Sequence, residues 1–145
     1  MKIWKTEPHW LIRIDKGEEI ITSLEKFAKD ESIKAGSIRG IGGVGPVTLA
    51  FYDIKKMDYK TKIFKGEYEL LSLSGNVSIL NQKPHIHLHA ILGDEKFQTF
   101  GGHVVKMTVA LTAEIIAIPD TYQMDRIINK ELGLNLWGGC KICEV

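Results

Sequence analysis

Four of the chain's five histidines lie in one short stretch. His85, His87 and His89 alternate with Ile86, Leu88 and Ala90, and His103 follows directly after Gly101-Gly102. A period of two is that of a β-strand, which places the three imidazoles on one face and the apolar side chains on the other. Imidazole is the commonest protein ligand for zinc and related ions, and its charge switches near neutral pH. A lone histidine on a strand is usually a surface residue or a satisfied core residue. Three in strict alternation, with a fourth close behind, form a candidate site for zinc or a similar divalent metal.

Reach narrows the choice of ligands. Alternate strand residues are about 6.6 Å apart, so His85 and His89 are separated by roughly 13 Å. Metal–nitrogen bonds of about 2.0–2.1 Å barely allow two rings so far apart to share an ion. An adjacent pair completed by a residue of the next strand is the easier geometry, and His103 can supply that third ligand. The hairpin must then have the right register. A two-residue turn closed by Gly93 and Lys96 would set His103 opposite Ile86, facing away. One further turn residue, or a bulge at Gly101-Gly102, would restore the facing, because a one-residue shift swaps sides.

The elements that must hold these residues are mostly strands. Trp10 to Ile14 reads as a strand, and Asp15-Lys16-Gly17-Glu18-Glu19 leads into a helix whose acidic start suits the helix dipole. Ile20, Ile21, Leu24, Phe27 and Ala28 form the apolar stripe of that helix. Further strands are expected at Pro46 to Asp53, Lys60 to Lys65, Tyr68 to Leu80, Phe97 to Phe100 and Met107 to Ile118. A short helix is expected over Thr121 to Leu132, and a closing segment over Gly133 to Trp137. The whole is α+β: a mostly antiparallel sheet or barrel-like sandwich with one main helix packed on it. Residues 1–145 are expected to form one domain, with its core over about 11–120.

Other motifs weigh less. Gly40, Gly42 and Gly45 match Gly-x-Gly-x-x-Gly, but a dinucleotide loop must open a helix, and here a strand follows. The glycines are better read as supplying positive φ angles, or room for close backbone approach, between two strands. Glu114 shares a strand face with Thr108, Ala110 and Thr112. It is either an ion-pair or edge residue, or a base beside the metal. Cys140 and Cys143 lack the second pair of a structural zinc site and lie at a chain end, away from any βαβ unit. Nineteen basic and eighteen acidic residues give a net charge of +1, which provides no footprint for nucleic acid or an anionic membrane. No apolar run nears the ~20 residues of a membrane span, and the N-terminus lacks a signal peptide's apolar core, so the expectation is a cytoplasmic protein.

Four stretches taken in order resemble the plant and prokaryote conserved (PPC) domain, found after the AT-hook in plant AT-hook nuclear-localised proteins and alone in prokaryotes. They are Gly40-Ile41-Gly42 leading to Phe51-Tyr52-Asp53; Gly66 to Gly75; His87-Leu88-His89-Ala90-Ile91-Leu92-Gly93-Asp94; and Gly101-Gly102-His103. The resemblance runs from about Leu11 to Asp120 and implies a homotrimer. It implies zinc at His87, His89 and His103, leaving His85 as an additional candidate. It implies a partner-binding role for Gly66, Glu67, Tyr68, Glu69, Leu70 and Leu71. No Arg-Gly-Arg-Pro hook is present, so specific DNA binding by this chain alone is not expected. Two functions stay open: a trimeric metal-binding protein, with hydrolase or lyase chemistry or a small ligand at the metal and Glu114 as a base, or a DNA-associated regulatory or protein-interaction module without catalysis.

Overall fold

The computed structural model describes residues 1–142. Lys2–Thr6 (β1) and His9–Asp15 (β2) open the chain, followed by the helix Ile20–Asp30 (α1). Then come Gly36–Asp53 (β3), Asp58–Phe64 (β4), Tyr68–Leu80 (β5), Lys83–Gly93 (β6) and Thr99–Pro119 (β7). Tyr122–Asn129 (β8) and Leu134–Ile142 (β9) complete the described residues. All pairings are antiparallel except a single parallel contact between Ile79 of β5 and Asp125 of β8. The sheet runs β1-β2-β7-β3-β5-β8-β9, with β4 added to β3 and β6 bridging β5 and β7. The architecture is α+β-like and mostly sheet, but the sheet is not a clear barrel.

Helix α1 forms for the reasons its sequence suggests. Ile20, Leu24, Phe27 and Ala28 are fully buried on one stripe. Glu19 caps the first turn, its carboxylate accepting from the backbone N–H of Ile21 and Thr22. The same carboxylate accepts the Met107 N–H at 3.1 Å, which ties the helix start to β7. Ile86, Leu88, Ala90 and Leu92 are buried, so the apolar face of β6 belongs to the core that receives the helix. The histidines are thereby turned to the opposite face.

Three expectations are corrected. The stretch expected as two strands joined by glycines is one 18-residue strand, β3, whose register with β7 slips at Gly42/Val44, Val44/Val47 and Thr48/Leu49. These slips bend the strand and let its two halves pair differently, with β5 first and β4 later. Phe97 to Phe100 and Met107 to Ile118, expected as separate strands, are largely joined in the 21-residue β7. Thr121 to Leu132 is not a helix. Tyr122–Asn129 is a strand, held in that state by its antiparallel pairing with β9. Asn129 accepts from the N–H of Glu131 and Leu132, and Gly133 takes φ 66°, so these residues make a hairpin turn where a helix would have to continue. Among the described residues no helix is long and apolar enough to cross a membrane. Cys140 is exposed and free, and Cys143 lies outside the described residues.

Gly75 marks the tightest approach beside the histidine strand. A Cβ there would lie 1.9 Å from the His87 carbonyl oxygen and 2.7 Å from Leu88 Cδ2. Gly75→Ala must push β5 from β6 and should destabilise the protein by about 3 kcal/mol in urea unfolding. At Gly139 a Cβ would meet nothing within 4 Å. Gly139→Ala should therefore stay within about 0.5 kcal/mol of the parent protein. Equal effects of the two changes would contradict this packing.

Candidate metal centre

The centre is built by the β6–β7 hairpin. Its loop is five residues long, from Asp94 to Gln98, and Gly93 pairs with Thr99. Asp94 organises the loop: its carboxylate accepts the N–H of Lys96 and of Gln98, both at 2.9 Å, and its carbonyl accepts from Phe97. Three residues more than a two-residue turn is an odd shift, and it brings His103 opposite His89. The facing comes from this loop and not from a bulge at Gly101-Gly102, which pair regularly with Ile91 and Ala90. The glycine pair serves closeness instead. A Cβ on Gly101 would meet the Ala90 carbonyl at 2.5 Å, and one on Gly102 the Ala50 carbonyl at 3.0 Å.

His87, His89 and His103 converge. One ring nitrogen from each lies within 4.8 Å of the other two. The Nε2 atoms of His87 and His89 are 3.2 Å apart, and the ring centroids of the three are separated by 5.0 to 5.5 Å. Two nitrogens bound to one tetrahedral zinc at about 2.05 Å must themselves be about 3.3 Å apart. The donor set therefore fits zinc or a similar divalent cation, with three neutral nitrogens and a fourth position open. His85 lies on β6 with His87 and His89, opposite Ser78 of β5, but it is not in the convergent group.

Surrounding side chains hold the rings. Tyr59 of β4 stacks on His103, with centroids 5.2 Å apart and planes at 27°. Tyr52 packs edge-on against Tyr59, and its hydroxyl donates to the Leu132 carbonyl in the β8–β9 turn. Arg126 of β8 lies behind His87, with Nη2 3.3 Å from His87 Nδ1. The same guanidinium donates from Nη2 to Asn76 Oδ1 at 3.0 Å and from Nε to Ser78 Oγ at 2.7 Å. A cavity of about 330 Å³ opens between the histidines and the β8–β9 hairpin, lined by Tyr59, His85, His87, His103, Arg126 and Leu136 among others. Tyr59 and Arg126 carried no signal of their own in the sequence. Arg126 fell in a segment expected as helix, and Tyr59 reaches the site only through the pairing of β4 with β3.

The electrostatics favour the ligating form of the rings. Burial, then the neighbouring His103 and Arg126, lowers the His87 pKa to about 4. Burial and the nearby His89 and His85 lower that of His103, and burial with Arg126 lowers that of His85. Lowered pKa values favour the neutral, metal-ligating form of these imidazoles, and His87 keeps it well below pH 6.5.

The other candidate residues lie elsewhere. Glu114 is eleven residues beyond His103 on β7, about 36 Å along an extended strand. It is exposed, pairs with Arg13 and Ile41, and lines a separate groove of about 620 Å³ with Trp4, Leu11, Arg39 and Leu71. The structure does not bring it to the histidines. Gly66 and Glu67 form an exposed bend before β5, and Tyr68 to Leu71 begin that strand, with Leu70 buried and Leu71 half-exposed.

A metal-free protein should lose stability as pH falls from about 6.5 towards 4. In that window the unfolded His87 takes up a proton that the native ring resists, so the unfolded state binds more protons. Full desolvation would make this about 3 kcal/mol, and solvent access to the half-buried ring reduces it to roughly 1–2 kcal/mol. The check is urea unfolding of metal-free protein at several pH values. His87→Gln should have a flatter profile across this window, and superimposable profiles would contradict the assignment.

Comparison with known proteins agrees with this architecture. Residues 2–119 match the Plants and Prokaryotes Conserved (PCC) domain. A PPC protein from Pyrococcus horikoshii is 35% identical, with 95% of this chain and 94% of that chain covered at a TM-score of 0.85. A protein from Archaeoglobus fulgidus described as metal-containing is 32% identical, with 95% and 96% covered and a TM-score of 0.86. One from Bacteroides thetaiotaomicron, provisionally described as DNA-binding, is 30% identical, with 94% and 96% covered and a TM-score of 0.91. The bifunctional protein GlmU of a Synechococcus strain is 26% identical over 113 residues, and the chain spans only 17% of that protein's length. The chain belongs to the Plants and Prokaryotes Conserved domain family.

Proposed function

We propose that this protein binds a zinc-like divalent cation through His87, His89 and His103, with His85 a bystander. The observation that carries the reading is the convergence of one nitrogen from each of the three rings on the polar face of the β6–β7 hairpin. The similarity to a protein described as metal-containing supports it. When bound, such a cation supplies Lewis acidity at an open coordination position, the arrangement suited to hydrolase or lyase chemistry. The chain's own residues position and protect that site. Tyr59 stacks on the His103 ring, and the β8–β9 hairpin walls the cavity that opens beside His87 and His103. Glu114 has no part in this reading.

The same reading includes a homotrimer. The family resemblance is its main support. The exposed apolar residues Ile41, Leu71, Ile91 and Leu111 on adjacent strands are suited to cover one another in such an assembly. The stretch Gly66 to Leu71, proposed for partner binding, contributes Leu71 to that surface. The second reading, a DNA-associated regulatory or interaction module, draws on the relative provisionally described as DNA-binding. It is disfavoured for this chain alone by a net charge of +1, since phosphate neutralisation by Lys and Arg supplies most of the affinity for DNA.

Untagged protein loaded with zinc should carry one ion per chain by mass spectrometry of the metal. His87→Ala, His89→Ala and His103→Ala should each lower zinc affinity at least a hundredfold, and His85→Ala by less than threefold. Full retention in His103→Ala, or complete loss in His85→Ala alone, would mean the wrong trio. Light scattering at micromolar concentration should give the mass of three chains, and Leu111→Glu should shift it to one. A monomer in the parent protein would overturn the assembly.

A further inference from the structure

The cavity beside His87 and His103 contains a charged group that metal binding alone does not use. Arg126 is half-buried there, and among the described residues its hydrogen-bonding partners are Ser78 Oγ, Asn76 Oδ1, the Asn135 carbonyl and His87 Nδ1. None of them carries a negative charge. Among the described residues no carboxylate lines this cavity, whose remaining walls are Tyr59, Leu80, Leu134, Leu136 and neighbouring backbone. Asp125, the nearest acid in sequence, accepts from the Gln123 amide at 2.7 Å. Three neutral imidazoles leave a divalent ion's two positive charges uncompensated, and Arg126 adds a third in the same low-dielectric space. A half-buried pocket with that charge and no acidic side chain calls for an anion.

Hydrogen-bond chemistry points the same way. A neutral imidazole that gives Nε2 to a metal keeps its proton on Nδ1. His87 Nδ1 then faces Arg126 Nη2 donor to donor across 3.3 Å and can no longer accept from it. One N–H of Arg126 is released, while Asn76 and Ser78 still hold the guanidinium in place. A planar guanidinium with a free N–H, fixed in the same cavity as His87 and His103, suits an oxyanion.

We propose that the cavity between the histidines and the β8–β9 hairpin binds a small oxyanion, a carboxylate or a phosphate, held by Arg126 at one side and directed at the open metal position. This rests on the reading of His87, His89 and His103 as a metal site. The volume of about 330 Å³ and the leucine walls allow a compact organic body behind the anionic group. Arg126 is then a binding residue supplied by the β8–β9 hairpin, outside the residues 2–119 that match the family domain.

The test begins with zinc per chain, which is independent of any anion. Zinc-loaded parent protein is then titrated calorimetrically with inorganic phosphate and, separately, with acetate. The expected result is saturable binding of at least one of the two, and the tighter one identifies the source of the oxyanion. Arg126→Gln should retain one zinc per chain and weaken that binding at least tenfold, with Arg126→Lys falling between. Should Arg126→Gln not fold, cobalt-loaded parent protein decides, because anion entry beside the ion must change its visible absorption bands. Zinc bound but neither anion binding, or equal binding by Arg126→Gln, overturns the oxyanion site and leaves the metal site standing. No zinc bound overturns both.

Discussion

Three imidazoles can face one point here only because β6 and β7 are paired in a particular register. With Gly93 opposite Thr99, His89 and His103 are direct partners, and His87 is one pleat away on the same face. A slip of one residue would turn His103 into the apolar core and bring Gly102 or Val104 to its place. The loop that prevents the slip is small and polar. The Asp94 carboxylate accepts from the loop N–H groups of Lys96 and Gln98, and Phe97 takes φ 59° to let the chain return. The core enforces the same choice from the other side, since Ile86, Leu88, Ala90 and Leu92 must all be buried together.

The site's chemistry follows from what is packed around that register. Burial lowers the pKa of His87 and of His103, and the β8–β9 hairpin adds Arg126 as a fixed cation against His87. The two neutral side chains Asn76 and Ser78 that orient this arginine sit on β5, the strand paired with β6. The cavity is thus walled by residues from β4, β5, β6, β7 and the C-terminal hairpin. No single segment contains it.

Much of this was legible in the sequence where the governing physics is local. The alternation of His85, His87 and His89 with apolar residues sufficed to predict a strand and its two faces, and the stripe from Ile20 to Ala28 sufficed for the helix. The limits of β5 at Tyr68 and Leu80 were likewise readable. What could not be read depends on distant partners. Tyr122 to Asn129 shows no strand alternation of its own, and only pairing with β9 decides its state. Consequently Arg126 went unnoticed as a neighbour of His87. Glu114 drew attention as a charge in an apolar strand, but strand length carries it far from the histidines. The opposition of His89 and His103 depended on the odd-numbered extension of a turn, which Gly93-Asp94-Glu95-Lys96 only partly signalled.

The central claim is that one ion is held by three imidazole nitrogens with a fourth position open to a light-atom ligand. X-ray absorption at the zinc edge of the loaded, untagged protein tests it most directly. The account predicts four nitrogen or oxygen neighbours at about 2.0–2.1 Å, with the outer-shell scattering of three imidazoles and no sulfur. A sulfur neighbour at about 2.3 Å, or outer-shell scattering from fewer than two imidazoles, would contradict it.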